Sequence, residues 1–514
     1  MALLVDLLDH APSGSGRAIV GLVALVFVLN ILFWSTKYCT VSGSPVAGRK
    51  WWFEPLILTR YRFLLNGWSV TRAGWDQYGD RIFTIARPDS NVTVLPPRYL
   101  DELQNLPDTK LNGIEALAAD MGDEYSGISI LTGTHLTFNV VRNKLTPKMP
   151  AIITPLMEEL EDALKIELPD SKEWVAVDLG NVFTRFVSRL TTRVWVGKEL
   201  SRNDGWHTDN IRTVENIFMT AIVLRFVPPA LHPIVGALLP TRGRIREGIK
   251  KVQSYLVPLI EERRRRQAEL GTVPEEEEDV LQWLMDGASE EESSAENLTE
   301  RYVYSVIGSL YTVSGALTDC LLDLAEHPEH VEPLRQELRQ VMAESGGKWE
   351  RGTAAKLVKM DSFMKESLRT NAPSPFSQKR IVKEELTLSD GLKLPAGAYV
   401  CMIDQSAIGR GPDKFDGFRY AGMREDPGFM TKYQYTSTDR DHLTFGHGRL
   451  ACPGRFVASL EMKMVLAAML ERYEVSFHPS GKGGVRPQKI QLLELAFHNP
   501  ASRVYLRQRH QTKE

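Results

Sequence analysis

Apolar residues recur at helical spacing along most of the chain. Spacings of three and four residues predict long amphipathic helices at 155–167, 244–267, 299–324 and 458–472. Shorter runs rich in β-branched and apolar residues predict strands at 82–86, 92–95, 386–388 and 398–403. No repeat with a period of 20–50 residues divides the chain. The pattern therefore predicts one mainly α domain with small β-sheets.

The N-terminal region contains an apolar run long enough to cross a membrane. Residues 18–36 carry no charge, and at ~1.5 Å per residue a helix of this length spans about 28 Å, close to the hydrocarbon core of a bilayer. A cleavable signal peptide is the alternative. However, residues 1–16 lack Lys and Arg, and the run ends in bulky Phe33 and Trp34. These features favour an uncleaved transmembrane anchor.

Basic residues flanking the run predict its orientation. Arg17 precedes it, whereas Lys37, Arg49 and Lys50 follow it, which places the rest of the chain on the cytosolic side. The chain is thus predicted to comprise a short lumenal N-terminus, a single-pass anchor, a linker and a catalytic body, at 1–17, 18–36, 37–50 and 51–514.

Two further segments leave their interpretation open. The stretch 217–240 is strongly apolar but is interrupted by Arg225 and four prolines, so it is either a buried helix pair with a Pro-rich turn or a lid that dips into the membrane. Basic residues at 263–266 and acidic residues at 275–279 predict a solvated surface loop rather than a nucleic-acid patch.

Composition narrows the class of protein. The chain has 514 residues, of which 43% are hydrophobic and 25% charged, as in ordinary globular proteins. The net charge of −3 gives no attraction to nucleic acid. Four cysteines, with no Cys-x-x-Cys pair, do not form a disulfide framework. We therefore expect a reducing compartment and a thiol kept for chemistry or packing.

One cysteine lies in an unusual loop, Phe-Gly-His-Gly-Arg-Leu-Ala-Cys-Pro-Gly-Arg-Phe, at 445–456. Three glycines allow the backbone to approach a bulky group closely. Apolar residues at helical spacing from Val457 onward predict that a helix begins just after Cys452. A helix N-terminus favours a thiolate. A buried structural cysteine is the commoner alternative, but it does not account for the glycines.

This segment resembles the cysteine loop of the cytochrome P450 haem-thiolate monooxygenases, Phe-x-x-Gly-x-x-x-Cys-x-Gly. Phe445, Gly448, Cys452 and Gly454 match in register. The resemblance implies that Cys452 is the axial ligand of the iron of haem b, with Phe445 beside the cofactor, and that the thiolate donates electron density to the iron. Many relatives carry Arg or His two residues before the cysteine to contact a haem propionate; here that residue is Leu450.

Further segments match the family in order along the chain. Glu366 and Arg369 form an E-x-x-R, and Arg419 matches a later arginine that completes a buried, structural charge network in the family. In the helix predicted around 302–324, Thr312 matches a catalytic threonine, but Tyr311 replaces the acid that usually precedes it. A threonine within a helix usually hydrogen-bonds to the carbonyl four residues earlier, here that of Gly308.

Two arginines match the family positions that contact haem propionates. Arg142 follows an aromatic residue, Phe138, by four positions, and Arg380 follows Pro375 and Phe376. Taken alone, either arginine is more often an ordinary surface residue. By family position, the substrate pocket is expected to be lined by apolar segments at 116–131, 218–226, 310, 375–376 and 495–497.

The resemblance implies a monooxygenase anchored in the endoplasmic reticulum membrane that receives electrons from NADPH through a membrane-bound reductase. The enzyme would insert one oxygen atom from O2 into a bulky hydrophobic small molecule. The motifs look most like those of fungal members, which often oxidise terpenoids, steroids or alkaloids in secondary metabolism. Two alternatives remain: a haem-thiolate isomerase or dehydratase on the same fold, and a non-catalytic haem sensor or carrier.

Overall fold

The computed structural model describes residues 38–409 and 414–509, so the predicted anchor at 18–36 lies outside the described residues. The α-helices are α1 (Leu56–Tyr78), α2 (Leu100–Leu103), α3 (Gly113–Asp120), α4 (Asp123–Ser126), α5 (Leu136–Val140), α6 (Met149–Glu167), α7 (Leu179–Trp195), α8 (Lys198–Ser201), α9 (Asp204–Arg225), α10 (His232–Leu238), α11 (Pro240–Leu270), α12 (Val280–Gly287), α13 (Ala295–Glu326), α14 (Val331–Glu344), α15 (Arg351–Lys356), α16 (Val358–Thr370), α17 (Arg419–Met423) and α18 (Arg455–Arg472).

The strands are β1 (Phe83–Ala86), β2 (Asn91–Val94), β3 (Leu111–Asn112), β4 (Val175–Val177), β5 (Phe376–Val382), β6 (Leu386–Thr387), β7 (Lys393–Leu394), β8 (Tyr399–Ile403), β9 (Tyr473–Ser476), β10 (Ile490–Leu492), β11 (Leu495–Phe497) and β12 (Val504–Gln508). The largest sheet has the order β1-β2-β8-β5-β3, in which only β2 and β8 run parallel. The remaining strands pair in small antiparallel sheets. The predicted mainly α class with small sheets is confirmed.

Helix boundaries follow from capping residues in the sequence. Asn203, Asp279 and Ser294 each accept a backbone amide hydrogen bond at the start of α9, α12 and α13. Helix α6 is longer than the pattern predicts because it continues N-terminally through Pro155. A proline inside a helix costs about 3 kcal/mol, and buried apolar residues on both sides of Pro155 offset that cost here.

Helix α13 is the centre of the helical layer. It packs against α7, α9, α11, α16 and α18, and most of its apolar residues lie in the main hydrophobic cluster. Among the described residues it is also the one helix long and apolar enough to cross a membrane. Since most of its apolar stretch is buried inside the protein, core packing accounts for its composition.

Residues 38–50, predicted as part of a linker, pack against the largest sheet instead. Val41 and Ala47 are buried, and the amide of Ala47 donates to the carbonyl of Thr84 (2.9 Å). The Tyr38 ring contacts Tyr399 edge to face. The Gly/Ser/Pro content of this segment reflects turns along the sheet edge, so the linker prediction is wrong for the described part.

The apolar stretch 217–240 matches neither predicted alternative completely. Helix α9 ends at Arg225, a 3-10 turn at Pro229–Leu231 follows, and α10 is short. Ile217 is buried, as a core helix requires, whereas Ile234 and Leu238 are 61% and 76% exposed. The second half is therefore an apolar surface, and the buried-helix interpretation is wrong for it.

The solvated-loop prediction is also wrong for part of 263–279. Arg263 is buried on α11 and forms a bidentate ion pair with Asp279 (2.7 and 2.6 Å). Asp279 also caps α12. The opposite charges that suggested a solvated surface thus join two helices.

Candidate active site

The glycine-bracketed loop folds back on itself before α18 begins. The Cys452 amide donates to the Phe445 carbonyl (2.8 Å), and Arg455 Nη1 donates to the Cys452 carbonyl (2.7 Å). Gly448 has φ of 70°, and a Cβ there would lie 2.6 Å from Gln104. Both the backbone conformation and the close contact therefore require glycine at this position. Helix α18 starts at Arg455, which confirms the predicted helix after the cysteine.

Cys452 is partly buried. Burial raises its pKa above the ordinary value, while the backbone amides of Gly454 and Arg455 and the charge of Arg455 act in the opposite direction. Amide donors at a helix N-terminus stabilise a thiolate, and a coordinated metal ion deprotonates a thiol outright. The sulfur is therefore suited to act as a metal ligand.

Thr312 occupies an open face of the otherwise buried central helix. Its hydroxyl donates to the Gly308 carbonyl (2.8 Å), which confirms the predicted bond within the helix. Both residues are exposed, and a Cβ added at Gly308 would meet no atom within 4 Å. Residues four apart share a helix face, so the hydroxyl borders open space.

Leu310 does not share that face, although it was predicted to line the pocket. Its side chain is fully buried in the hydrophobic core. At about 100° per residue, a position two away from Gly308 or Thr312 points to the opposite side of a helix. The adjacent Tyr311 instead contacts Phe218 of α9 edge to face, at 5.3 Å between ring centroids.

Arg142 lies in a π-helical turn, Val141–Leu145, that directly follows α5. This turn reaches the cysteine loop, since the Thr146 hydroxyl donates to the Pro453 carbonyl (3.5 Å). Arg142 is exposed and, within the described part of the chain, pairs with no carboxylate. Burial and the charge of Arg142 together lower the pKa of Arg455, so two cations lie near the cysteine without a neutralising carboxylate.

Arg380 is placed beside the cysteine loop by an irregularity in β5. The register with β8 shifts between Ser377 and Arg380, and Gln378 has φ of 50°. A Cβ at Gly113 would lie 3.0 Å from both Arg380 Nη1 and Leu450 Cδ1. The guanidinium donates to the Lys379 carbonyl and the Gln378 amide oxygen, both at 2.8 Å. Burial and the nearby charge of Arg449 lower the pKa of Arg380 to about 10.

Arg449 differs from these arginines because a carboxylate neutralises it. Arg449 donates to Asp108 (2.6 Å) and to the Leu106 carbonyl (3.1 Å), while the His135 ring contacts the same carboxylate. Burial alone would raise the pKa of Asp108, but hydrogen bonds from Arg449 and His135 lower it. The sequence predicted no contact for Arg449, and Asp108 carries no motif that would have revealed it.

Cys452, Arg142 and Arg380 have the chemistry needed to bind iron protoporphyrin. Cys452 supplies a single soft donor for the iron. Arg142 and Arg380 are cations that lack a carboxylate of the described chain. Arg142 is exposed, whereas burial lowers the pKa of Arg380, so Arg380 in particular favours a counter-charge. The two carboxylates of the porphyrin have the charge that these positions lack. These residues were the ones predicted to hold haem, and the structure brings them around one loop.

Glu366, Arg369 and Arg419 form a compact charge network. Glu366 is fully buried and accepts hydrogen bonds from Arg369 Nε and Nη2, both at 2.8 Å, and from Arg419 Nη2 at 3.3 Å. Burial alone would raise the pKa of Glu366, but these bonds and the Asp416 amide lower it. The network joins α16 to the start of α17.

A second buried charge network was not predicted. We name it the Arg87 cluster; its members are Arg87, Asp89, Asp120, Arg225 and Glu494. Arg87 pairs with Asp120 at 2.8 Å and with Glu494 at 3.3 Å, and Lys379 also pairs with Asp120, at 2.6 Å. The cluster joins the end of α3, the end of α9 and the turn between β10 and β11.

Each of those three ends belongs to, or adjoins, a segment predicted to line the substrate pocket. Burial alone would raise the pKa of Asp120, but the charges of Arg87 and Lys379 hold it below its ordinary value. The cluster therefore remains charged and holds the three segments together.

The comparisons with known proteins identify the family of this chain. A family model described as Cytochrome P450 matches residues 88–501. A relative named cytochrome P450 monooxygenase AN1598, from Emericella nidulans, is 35% identical over 512 residues, covering 98% of this chain and 95% of the relative. Ent-kaurene oxidase P450-4 from Gibberella fujikuroi is 34% identical over 475 residues, covering 90% of this chain and 92% of the relative.

A third relative, cytochrome P450 monooxygenase paxP from Penicillium paxilli, is 35% identical over 468 residues and covers 88% of each chain. The solved structure of retinoic acid bound cyanobacterial CYP120A1 is similar in fold, with a TM-score of 0.65 and 17% identity, covering 91% of this chain and 100% of that chain.

Proposed function

Since the chain belongs to the cytochrome P450 monooxygenase family, we propose that it is a membrane-anchored enzyme that oxidises a bulky hydrophobic small molecule. The anchor is the run at 18–36, and the body at 51–514 faces the cytosol from the endoplasmic reticulum membrane. Electrons come from NADPH through a membrane-bound reductase. The catalytic body extends to include residues 38–50, because this segment packs on the sheet.

The single observation that carries this proposal is the arrangement around Cys452. A partly covered thiol at a helix N-terminus lies beside Arg142 and Arg380, which have no carboxylate partner in the described chain. Cys452 Sγ would bind the iron, and the two arginines would bind the carboxylates of haem b. When bound, haem supplies the activation of O2 that allows one oxygen atom to enter a C–H bond.

The chain's own residues perform the remaining tasks. The Thr312 hydroxyl, which borders the open face of α13, positions water and passes protons from that water. Apolar side chains such as Phe218 exclude bulk water and orient the substrate. Phe445, whose carbonyl accepts from the Cys452 amide, packs edge to face on Tyr435 at 5.3 Å and thereby supports the loop.

The proposed substrate is a terpenoid, steroid or alkaloid in fungal secondary metabolism. The predicted lining segments are apolar, and a relative with the name ent-kaurene oxidase supports this class.

Reconstitution with a reductase tests the proposal. The full chain would be combined with reductase, NADPH and a panel of such compounds, and NADPH, O2 and products would be measured together. We expect NADPH and O2 to be consumed only when a substrate is present, and we expect a product that is heavier by one oxygen atom. A product formed without NADPH or O2 would instead identify an isomerase or dehydratase, and ligand binding without any product a sensor or carrier.

Replacing Thr312 by alanine is expected to uncouple the enzyme without loss of haem. Without the hydroxyl, a proton donor is lost from the open face of α13, so NADPH continues to be consumed while the ratio of product to NADPH falls several-fold and hydrogen peroxide rises. Thr312→Ser should retain coupling. Thr318→Ala, which removes a buried hydroxyl bonded to the Ser314 carbonyl (2.8 Å), is the matched control. An unchanged ratio in Thr312→Ala would contradict the assigned role.

Deleting residues 1–37 is expected to release at least part of the protein from membranes with its haem spectrum intact. The deletion ends before the segment that packs on the sheet, so the body should fold. Release would be measured in the supernatant after alkaline carbonate washing, with the full chain as the control. Complete retention of the truncated protein would show that an apolar surface such as Trp52, Phe53 and Leu238, which are 86%, 66% and 76% exposed, is sufficient for binding.

A further inference from the structure

Gln378 links the Arg380 guanidinium to the cysteine loop, although no sequence motif assigns this glutamine a role. Its amide oxygen accepts a hydrogen bond from Arg380 Nη2 at 2.8 Å. Its amide nitrogen donates to the carbonyl of His447 at 3.1 Å, five residues before Cys452. The Gln378 side chain is buried, where hydrogen bonds are stronger than in water. One amide thus contacts both the arginine proposed to bind haem and the loop that carries the proposed iron ligand.

A β-bulge in β5 makes this arrangement possible. Positions 377 to 380 of β5 face positions 402 to 400 of β8, three steps against two, and Gln378 has φ of 50° within the bulge. A regular strand would point adjacent side chains to opposite faces. Here Ser377 and Gln378 both reach the segment before the cysteine, since the Ser377 hydroxyl donates to the Leu443 carbonyl. Bulges beside active sites commonly redirect a side chain in this way.

The two groups that Gln378 joins are also held by other contacts. Arg380 Nη1 donates to the Lys379 carbonyl at 2.8 Å. On the loop, the His447 ring hydrogen-bonds with the Thr438 hydroxyl at 2.8 Å. Bonds at both terminal nitrogens therefore fix the plane of the Arg380 guanidinium. No carboxylate of the described chain pairs with it, so the oriented cation can accept an anion from outside the protein.

We propose that Gln378 is a positioning residue that orients Arg380 for a carboxylate of haem and couples it to the cysteine loop. An arginine fork recognises a carboxylate well when its plane is fixed in advance. The bond to His447 sets that fork against the loop that carries Cys452. The carboxylate contact and the iron ligand then belong to one hydrogen-bonded unit. This inference rests on the proposed function, in which Arg380 binds haem.

The rate of haem loss from the full-length holoprotein tests this role. Gln378→Met keeps the length of the side chain but loses both hydrogen bonds, so haem transfer to excess apomyoglobin should be on the order of ten-fold faster. Gln378→Asn suits the left-handed backbone better but is too short to span both partners, so it should also lose haem faster. Gln282→Met is the matched control, since Gln282 is buried on α12 and donates to Asp286 at 2.9 Å. Wild-type rates in both Gln378 variants would overturn the proposal.

A double-mutant cycle separates an effect through Arg380 from simple support of the loop. If Gln378 acts through Arg380, the variant that combines Gln378→Met with Arg380→Met should lose haem about as fast as Arg380→Met alone. If Gln378 only supports the fold, the two substitutions act independently and their effects on the rate multiply. Multiplied effects would therefore contradict the positioning role.

Resonance Raman spectroscopy gives a second readout that a purely structural role would not change. The bending vibration of the haem propionates should shift in Gln378→Met in the same direction as in Arg380→Met, and it should stay unchanged in Gln282→Met. An unshifted vibration in Gln378→Met would overturn the proposal. If haem loss and this vibration depend on Gln378 but the wild type oxidises no compound of the panel, the proposed function fails and the positioning role stands.

Discussion

Replacing Cys452 by serine or histidine is expected to abolish the red-shifted Soret band of the reduced, carbon monoxide-bound protein, together with all monooxygenase activity. The band reports a thiolate bound to the haem iron, and neither hydroxyl nor imidazole donates comparable electron density. In this protein Cys452 is the thiol that combines partial exposure with the amides of Gly454 and Arg455 directed at its sulfur. The measurement is a difference spectrum of reduced protein with and without carbon monoxide.

The other cysteines provide matched controls. Cys39 is exposed, and Cys401 is buried in β8, where burial raises the pKa of its thiol to about 12. Cys39→Ser and Cys401→Ala should therefore retain the band. A Cys452→Ser protein that kept the band would refute the assignment of Cys452 as the iron ligand. Loss of the band in Cys39→Ser would indicate that Cys39 is the ligand instead.

Replacing Glu366, Arg369 or Arg419 by alanine is expected to reduce folded yield and haem content, and not only turnover. Breaking a buried ion pair costs about 3–5 kcal/mol because the partner charge is left in a poorly solvated position, and whole domains are stable by only about 5–15 kcal/mol. Glu366→Ala should be the most damaging since it strands two cations. Arg419→Ala should be the mildest because the Arg419 side chain is 21% exposed.

An exposed ion pair on α14 serves as the control for the buried network. Arg339 donates to Glu332 at 2.6 Å, but the two side chains are 55% and 52% exposed, and pairs of this kind contribute about 0–1 kcal/mol. Arg339→Ala should thus leave yield and haem content unchanged. Haem content per folded protein and urea unfolding midpoints would be compared across the set. Stable, haem-replete but slow variants at 366 or 369 would contradict the structural role.

Local patterns allowed most of the site to be predicted from the sequence. The glycines around Cys452, the helix that starts at Arg455 and the bond from Thr312 to the Gly308 carbonyl all depend on residues within a few positions of one another. Helix and strand types followed from periodicity for the same reason. Leu310 was wrongly assigned to the pocket because a family position was used without its place on the helix face.

Long-range charge pairing could not be predicted in this way. Arg87 and Glu494 are 407 residues apart, and neither lies in a recognisable motif. Arg263 and Asp279 were predicted to be solvated because each lies in a run of residues with the same charge. The sequence does not reveal which member of such a run is buried.

The Arg87 cluster constrains how the substrate range of this enzyme can change during evolution or engineering. Asp120, Arg225 and Glu494 come from three segments predicted to line or adjoin the pocket, and Arg87 and Asp89 come from the turn between β1 and β2. All five side chains are buried and neutralise one another. If α3 were replaced by the corresponding helix of a relative that has no acid at position 120, Arg87 and Lys379 would lose a partner charge. The expected cost in folding free energy is about 3–5 kcal/mol. Libraries that vary one pocket segment at a time would then be dominated by unstable proteins, whereas exchanges that carry all three segments together preserve charge balance. Pocket diversification in this lineage should therefore leave a record of correlated, charge-conserving substitutions.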